Sequence, residues 1–211
     1  MIDLYTWGTP NGRKVSIALE EMGLPYKVHP INILEDEQFA PAFLKISPNN
    51  KIPAIVDHDA GGQSVFETGA ILLYLAEKTG RFMPKDAAGR IAVHEWLMWQ
   101  MGGFGPMLGQ AHHFLRFNPG KSEYAEERFG SETKRLYGVL DRRLATSAHV
   151  AGDEITIADF AIWPWASRFE WQRIDLGDFP HVRDWYVRLA ARDGVKAGYD
   201  VPEAGNEIPL P

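Results

Sequence analysis

A chain of 211 residues with 45% hydrophobic content can bury two modest cores, and two domains are expected. A net charge of −6 without any run of lysine or arginine leaves no broad positive footprint for phosphate backbones, so no nucleic acid partner is expected. No stretch approaches the roughly 20 apolar residues that cross a bilayer, and Met1-Ile2-Asp3-Leu4-Tyr5 lacks the basic-then-apolar pattern of a secretory signal, so a cytoplasmic protein without membrane contact is expected. The absence of cysteine excludes disulfides, thiolate metal sites and any mechanism in which the protein supplies its own sulfur. Thiol chemistry here needs a borrowed thiol.

Residues 2–6 read as a short apolar strand, Gly8-Thr9-Pro10-Asn11-Gly12 as a turn, and Val15, Ala18, Leu19 and Met22 recur at helical spacing. Residues 25–31 read as a second strand and 38–46 as a short helix ended by Ser47-Pro48. Asn50-Lys51-Ile52-Pro53-Ala54-Ile55-Val56, then Phe66-Glu67-Thr68-Gly69 opening an apolar run, read as strand, turn, strand, helix. The order β-α-β-α-β-β-α predicts a small mixed sheet with helices on its faces over 1–80. Gly80-Arg81-Phe82-Met83-Pro84-Lys85-Asp86 breaks the pattern, and 81–87 is expected as a linker.

From Ile91 onward the pattern is helical, and an all-α domain is expected over 88–200. Trp96, Trp99, Gly103 and Met107 share a face that Gly102-Gly103 and Gly105-Pro106 should bend. Phe129, Thr133, Leu136, Leu140 and Leu144 mark another helix, 157–169 a very apolar central one, and Pro180 opens the last. Thr156-Ile157-Ala158-Asp159 has the spacing of a capping box and reads as structural. The tail 201–211, rich in proline, glycine and acid, is expected at the surface or disordered.

Pro53 has no N–H to give to a sheet, so the backbone around Ile52 can pair with an extended peptide instead. The helix after Glu67-Thr68 offers unpaired N–H groups and a positive dipole end to a carboxylate, while Glu67 suits an ammonium. These groups fit a small zwitterionic peptide such as glutathione. The same spacing also fits a Glu67 that only caps a surface helix.

With these segments placed, the chain resembles the cytosolic glutathione transferases over about 200 residues. That family has an α/β thioredoxin-like N-terminal domain and an all-α C-terminal helical domain. Thr9-Pro10-Asn11-Gly12, the run from Ser47 to His58, and the segment from Trp99 through His112-His113-Phe114 are similar to the bacterial Nu class, the glutathione-dependent disulfide-bond oxidoreductases. The resemblance implies a cis bond at Ile52-Pro53 and glutathione contacts at Gln38, Lys51, Ile52, Pro53, Glu67 and Thr68. It also implies that Arg128 approaches the ligand from the second domain, and that Thr9 and Asn11 stabilise the thiolate. Thr68 stands where serine is commoner. The residues alone, without the resemblance, favour reading Thr9 and Asn11 as ordinary turn and N-cap residues.

The activity implied is glutathione-dependent disulfide reduction, with glutathione or its disulfide as cosubstrate, small disulfides as partners, a homodimer and no metal. A conjugating transferase or isomerase needs an apolar second pocket, for which Phe104, Pro106, Met107 and Trp165 are available; a non-catalytic glutathione-binding scaffold is the other rival. Tyr5 occupies the position where related enzymes place an activating tyrosine, but its direction on the strand is open between packing and that role. His112 and His113 are adjacent, so at most one easily faces a cleft, and Trp99 is the best candidate for a substrate wall.

Overall fold

The computed structural model describes residues 1–211, which form two compact units: Met1–Arg81 with Ala191–Ile208, and Phe82–Ala190 with Pro209–Pro211. The first unit holds a four-stranded sheet in the order β2-β1-β3-β4. Strand β1 (Ile2–Thr6) buries Ile2, Leu4 and Thr6 and turns Asp3 and Tyr5 to the other face. It runs parallel to β2 (Tyr26–Pro30) and antiparallel to β3 (Ala54–Asp57), which pairs antiparallel with β4 (Gln63–Phe66).

Helix α1 (Pro10–Met22) connects β1 to β2 and buries nearly a whole face. Gly12 is required in its first turn, since a Cβ there would overlap the Trp7 carbonyl and the Thr6 hydroxyl. Gly23, at φ 66°, closes the helix in the left-handed region that glycine adopts without strain. The helix expected over 38–46 is instead a 3₁₀ turn at Glu37–Phe39 and a single turn, α2 (Pro41–Leu44). Pro41 accounts for the break, because it has no N–H with which to continue a helix begun upstream. Helix α3 (Thr68–Thr79) completes the unit expected from the first 80 residues.

In the second unit, α4 (Ala87–Trp99) runs through a π-helical turn at Gln100–Phe104 into α5 (Gly105–Ala111) and a further π-helical turn at His112–Phe117. The irregularity falls where the Gly102-Gly103 pair weakens the helix. Helix α6 (Glu123–Leu144) begins at a Ser122 cap. Helix α7 (Ile157–Ala166) is buried all round and stops short of Phe169, which starts a 3₁₀ turn. Its capping box is complete: the Ala158 N–H reaches Thr156 Oγ1 at 3.3 Å and the Thr156 N–H reaches Asp159 Oδ2 at 2.9 Å. Asp159 also accepts from the Val150 N–H and the Trp185 indole, so one buried carboxylate ties α7 to a loop and to α8 (Pro180–Ala190).

The C-terminal segment departs from the expected domain boundaries. Residues 191–208, expected as the end of the helical domain and a tail, belong to the first unit. Helix α9 (Asp193–Tyr199) packs on α1. The Ser16 hydroxyl donates to the Gly198 carbonyl at 2.6 Å, and Arg13 Nε donates to the Tyr199 carbonyl at 3.1 Å with its guanidinium over the Tyr199 ring. Arg192 grips Glu21 with two nitrogens.

Candidate active site

Sheet register gathers the site. Tyr5 lies opposite Ala54 and Ala54 lies opposite Phe66, so the end of β1, the start of β3 and the end of β4 share one end of the sheet. The segments leaving those strand ends carry Thr9 and Asn11, Lys51 to Pro53, and Glu67 with Thr68. Positions separated by more than 50 residues in sequence thereby belong to one edge of one unit.

Thr9 is the N-cap of α1, and its Oγ1 accepts the Gly12 N–H at 3.1 Å. Capping uses only an acceptor lone pair, so the hydroxyl proton remains available to an anion at the positive end of the helix. The two readings of Thr9 are thus compatible. Asn11 follows in the first turn, half-buried. Tyr5 stacks on His29 with centroids 4.7 Å apart and lies against Phe43, which settles its direction as packing. Burial, and then the Asp3 charge, raise its phenol pKa.

The Ile52-Pro53 bond is cis. The preceding turn is held by the Asn50 N–H on the Ser47 carbonyl and the Ser47 hydroxyl on the Lys51 carbonyl, with Asn50 at φ 49°. The β3 ladder starts only at Ala54, so the backbone of Ile52 lies outside the sheet pairing. Lys51 is exposed.

Glu67 precedes α3 at φ 70° and ψ 119°, a conformation L-residues rarely adopt, yet its side chain makes no capping bond. Its carboxylate meets the Asn49 amide at 3.5 Å instead, across to the segment before Pro53. The reading of Glu67 as a plain helix cap fails on this geometry. Thr68 is buried, and its Oγ1 lies 3.3 Å from Nζ of Lys14, a lysine only 2% exposed. Burial pushes that ammonium well below its usual pKa, while the Glu67 charge pulls it upward. Sequence reasoning missed Lys14. The available signal was a lysine within an apolar face, one turn before Ala18.

Gln38 lies in the 3₁₀ turn, where its amide nitrogen donates to Asp36 at 3.4 Å and its buried Oε1 has no partner. Nothing ties it to the other residues named above.

Arg128 belongs to the second unit, exposed on α6. It lines a pocket of about 610 Å³ with Met107, Tyr124, Glu127, Phe129 and Glu132. Of the four residues available for an apolar pocket, only Met107 is on this wall; Phe104 is wholly buried and Trp165 is 9% exposed. Trp99 stacks on Phe104 at 5.0 Å, within an aromatic cluster that includes Trp96. His112 stacks on Trp165 in the interior, whereas His113 is exposed. Burial, with Arg168 nearby, lowers the His112 pKa to about 4, so it is neutral at physiological pH. No group of three or more His, Asp or Glu side chains is placed to hold a metal ion.

Residues 9–78 match the glutathione S-transferase N-terminal domain and residues 104–193 the glutathione S-transferase C-terminal domain. The chain belongs to the glutathione S-transferase family. Among curated relatives it is 49% identical over 211 residues to the disulfide-bond oxidoreductase YfcG of Escherichia coli K12, with 98% of each chain covered. Among solved structures, a glutathione transferase from Burkholderia graminis with two glutathione molecules bound per subunit superposes with a TM-score of 0.90, at 42% identity, covering 97% of this chain and 89% of that one. One from Pseudomonas putida with a glutathione disulfide bound per subunit also gives 0.90, at 42% identity, covering 95% and 91%.

Proposed function

We propose that this protein is a glutathione-dependent disulfide-bond reductase that carries out thiol–disulfide exchange with bound glutathione. The observation that carries the reading is a hydroxyl-capped helix N-terminus, at Thr9, in a chain without cysteine: the site is built for an anion whose sulfur comes from the ligand. The likeness to YfcG and to enzymes holding glutathione or its disulfide supports it.

In this reading Ile52 pairs with the cysteinyl backbone beside Pro53, Glu67 takes the γ-glutamyl ammonium, and Thr68 with the α3 N-terminus takes its carboxylate. Lys51 and Gln38 contact the remaining peptide groups. A free thiol with a pKa of about 8.5 is only about 3% ionised at neutral pH. Lowering that pKa to about 6.5 requires about 2.7 kcal/mol, of which a helix dipole supplies about 0.3–1. A hydrogen bond to a charged acceptor adds about 1.5–3 kcal/mol, so Thr9 and Asn11 supply the larger share. The thiolate attacks one sulfur of the substrate disulfide, forming a mixed disulfide and expelling the other sulfur as a thiolate. A second glutathione thiolate then attacks the glutathione sulfur of that mixed disulfide, releasing glutathione disulfide and the reduced substrate; the expelled thiolates take up protons.

Arg128 serves an anionic peptide portion in the pocket it lines. That wall carries both charges beside the apolar side chains of Met107, Tyr124 and Phe129, so the charged groups could take the polar ends of a peptide-like disulfide. A cytoplasmic homodimer completes the proposal, since the cytosol keeps glutathione reduced. Steady-state assays with glutathione and either hydroxyethyl disulfide or a halonitroarene test it. Turnover of the disulfide well above the halonitroarene is expected. The reverse order would make the protein a conjugating transferase, and glutathione binding without turnover of either would make it a scaffold.

A further inference from the structure

We propose that Arg135 is a positioning residue that holds Glu132 away from Arg128, so that the wall they share favours disulfides bearing a carboxylate; this rests on the reading of Arg128 given above. Tyr124, Glu127, Arg128, Ser131, Glu132 and Arg135 recur at helical spacing and turn one face of α6 to the cavity of about 610 Å³. On that face Glu132 stands between two arginines, one turn after Arg128 and one turn before Arg135. Either spacing brings a carboxylate to a guanidinium. Which arginine receives it decides which one is left for a ligand.

The structure gives the carboxylate to Arg135. Arg135 Nε lies 2.7 Å from Glu132 Oε2 and its Nη2 lies 2.7 Å from Oε1, the two-pronged geometry in which a guanidinium and a carboxylate fit best. No hydrogen bond or ion pair engages Arg128. Helix direction agrees with this choice, because acid before base along the chain is the favoured order, and Arg128 before Glu132 is the weaker one. The Glu132 carboxyl is held below its usual pKa by Arg135 first, and the Arg128 charge adds to this. Once released it would therefore compete, as an anion, with any ligand for Arg128. Three and four places either side of Glu132 stand Arg128, Phe129, Arg135 and Leu136, so loss of Arg135 leaves Arg128 as its one basic neighbour along the helix. With side chains 59% and 31% exposed, the Arg135–Glu132 pair adds little to folding, and Arg135 variants are expected to keep the fold.

The test measures kcat/KM with glutathione as reductant and disulfides of similar length but different charge: dithiodipropionate, a dianion, hydroxyethyl disulfide, neutral, and cystamine, a dication. Each value is divided by the uncatalysed exchange rate of the same disulfide. Wild type is expected to prefer the dianion to the dication, and Arg128→Gln to lose that preference. Arg135→Gln should lower the ratio of dianion to dication by about threefold, the scale of an exposed ion pair, chiefly through KM for the dianion. Glu132→Gln should raise the ratio far less than Arg135→Gln lowers it, since Glu132 is already held, and the double variant should recover the wild-type ratio. A crystal structure of Arg135→Gln should show the Glu132 carboxylate on Arg128. Equal and opposite shifts in the single variants, as simple addition of charge would give, overturn the proposal; so does an unmoved ratio in Arg135→Gln, or a Glu132 that stays off Arg128 in that variant. Loss of the preference in Arg128→Gln but not in Arg135→Gln removes this role alone. Wild type without the preference, or Arg128→Gln that keeps it, overturns the reading of Arg128 and this role with it.

Discussion

Glu67→Gln removes the charge proposed to hold the ligand ammonium while leaving the side-chain shape. Its expected effect is a KM for glutathione raised by roughly tenfold or more with kcat little changed, because the group is remote from sulfur; a kcat that fell tenfold at constant KM would assign Glu67 another role. Thr9 and Asn11 are the residues proposed to act on sulfur itself. Asn11→Ala should raise the bound thiol pKa by roughly one to two units, so activity falls at neutral pH and largely recovers near pH 9, where glutathione ionises unaided. Thr9→Val should do the same and also lose the cap on Gly12, with Thr9→Ser sparing both. Wild-type activity and pH profile in both single variants and in the double would remove them from the mechanism. These residues stood out as candidates in the sequence because each sits at a local signal: a turn before a helix, a proline opening a strand, an acid-hydroxyl pair opening a helix. Lys14 did not, since only tertiary packing brings α1 against the start of α3 and buries it.

At the scale of elements, the capping box of α7 was readable from four residues, and the structure adds the Val150 and Trp185 bonds on the same carboxylate. Thr156→Ala should cost about 0.5–2 kcal/mol in denaturant unfolding with kcat and KM unchanged. The junction of the bent helix and α7 carries a second consequence. The amide of Gln172, oriented by the Tyr137 hydroxyl on its oxygen, gives its N–H groups to the Trp165 carbonyl and to His112 Nε2. His112 is thus an acceptor, and protonation would set two donors against each other. With its pKa lowered to about 4 in the folded protein and about 6.5 when unfolded, the unfolded chain takes up the proton first as pH drops. The stabilisation is complete above pH 6.5 and is lost progressively between about 6.5 and 4, amounting to about 3 kcal/mol. Urea midpoints across that range should show the slope, and His112→Asn should flatten it; an unchanged slope would place the acid sensitivity elsewhere. What periodicity could not deliver were the ends: Pro41 split one helix, and α7 stops at Ala166.

At the scale of the whole molecule, the small mixed sheet and the helical second unit followed from alternation and helical spacing, while the spatial strand order came from the structure. The return of the chain to its first unit did not, because α9 is held by Ser16, Arg13 and Glu21, whose partners lie more than 170 residues away in sequence. Gly198 makes that return possible: a Cβ there would lie 2.5 Å from Ile17 N and Cα. Gly198→Ala should therefore lower the thermal midpoint by several degrees, consistent with an overpacking cost of about 1–3 kcal/mol. The central claim is that a chain with no sulfur nucleophile of its own ionises a borrowed one. With no cysteine present, thiolate absorbance near 240 nm in a pH titration of the glutathione complex reports the ligand sulfur alone. A bound thiol pKa near 6.5, moving up in Thr9→Val or Asn11→Ala, is the predicted result; a bound thiol that still titrates at about 8.5 would contradict the account.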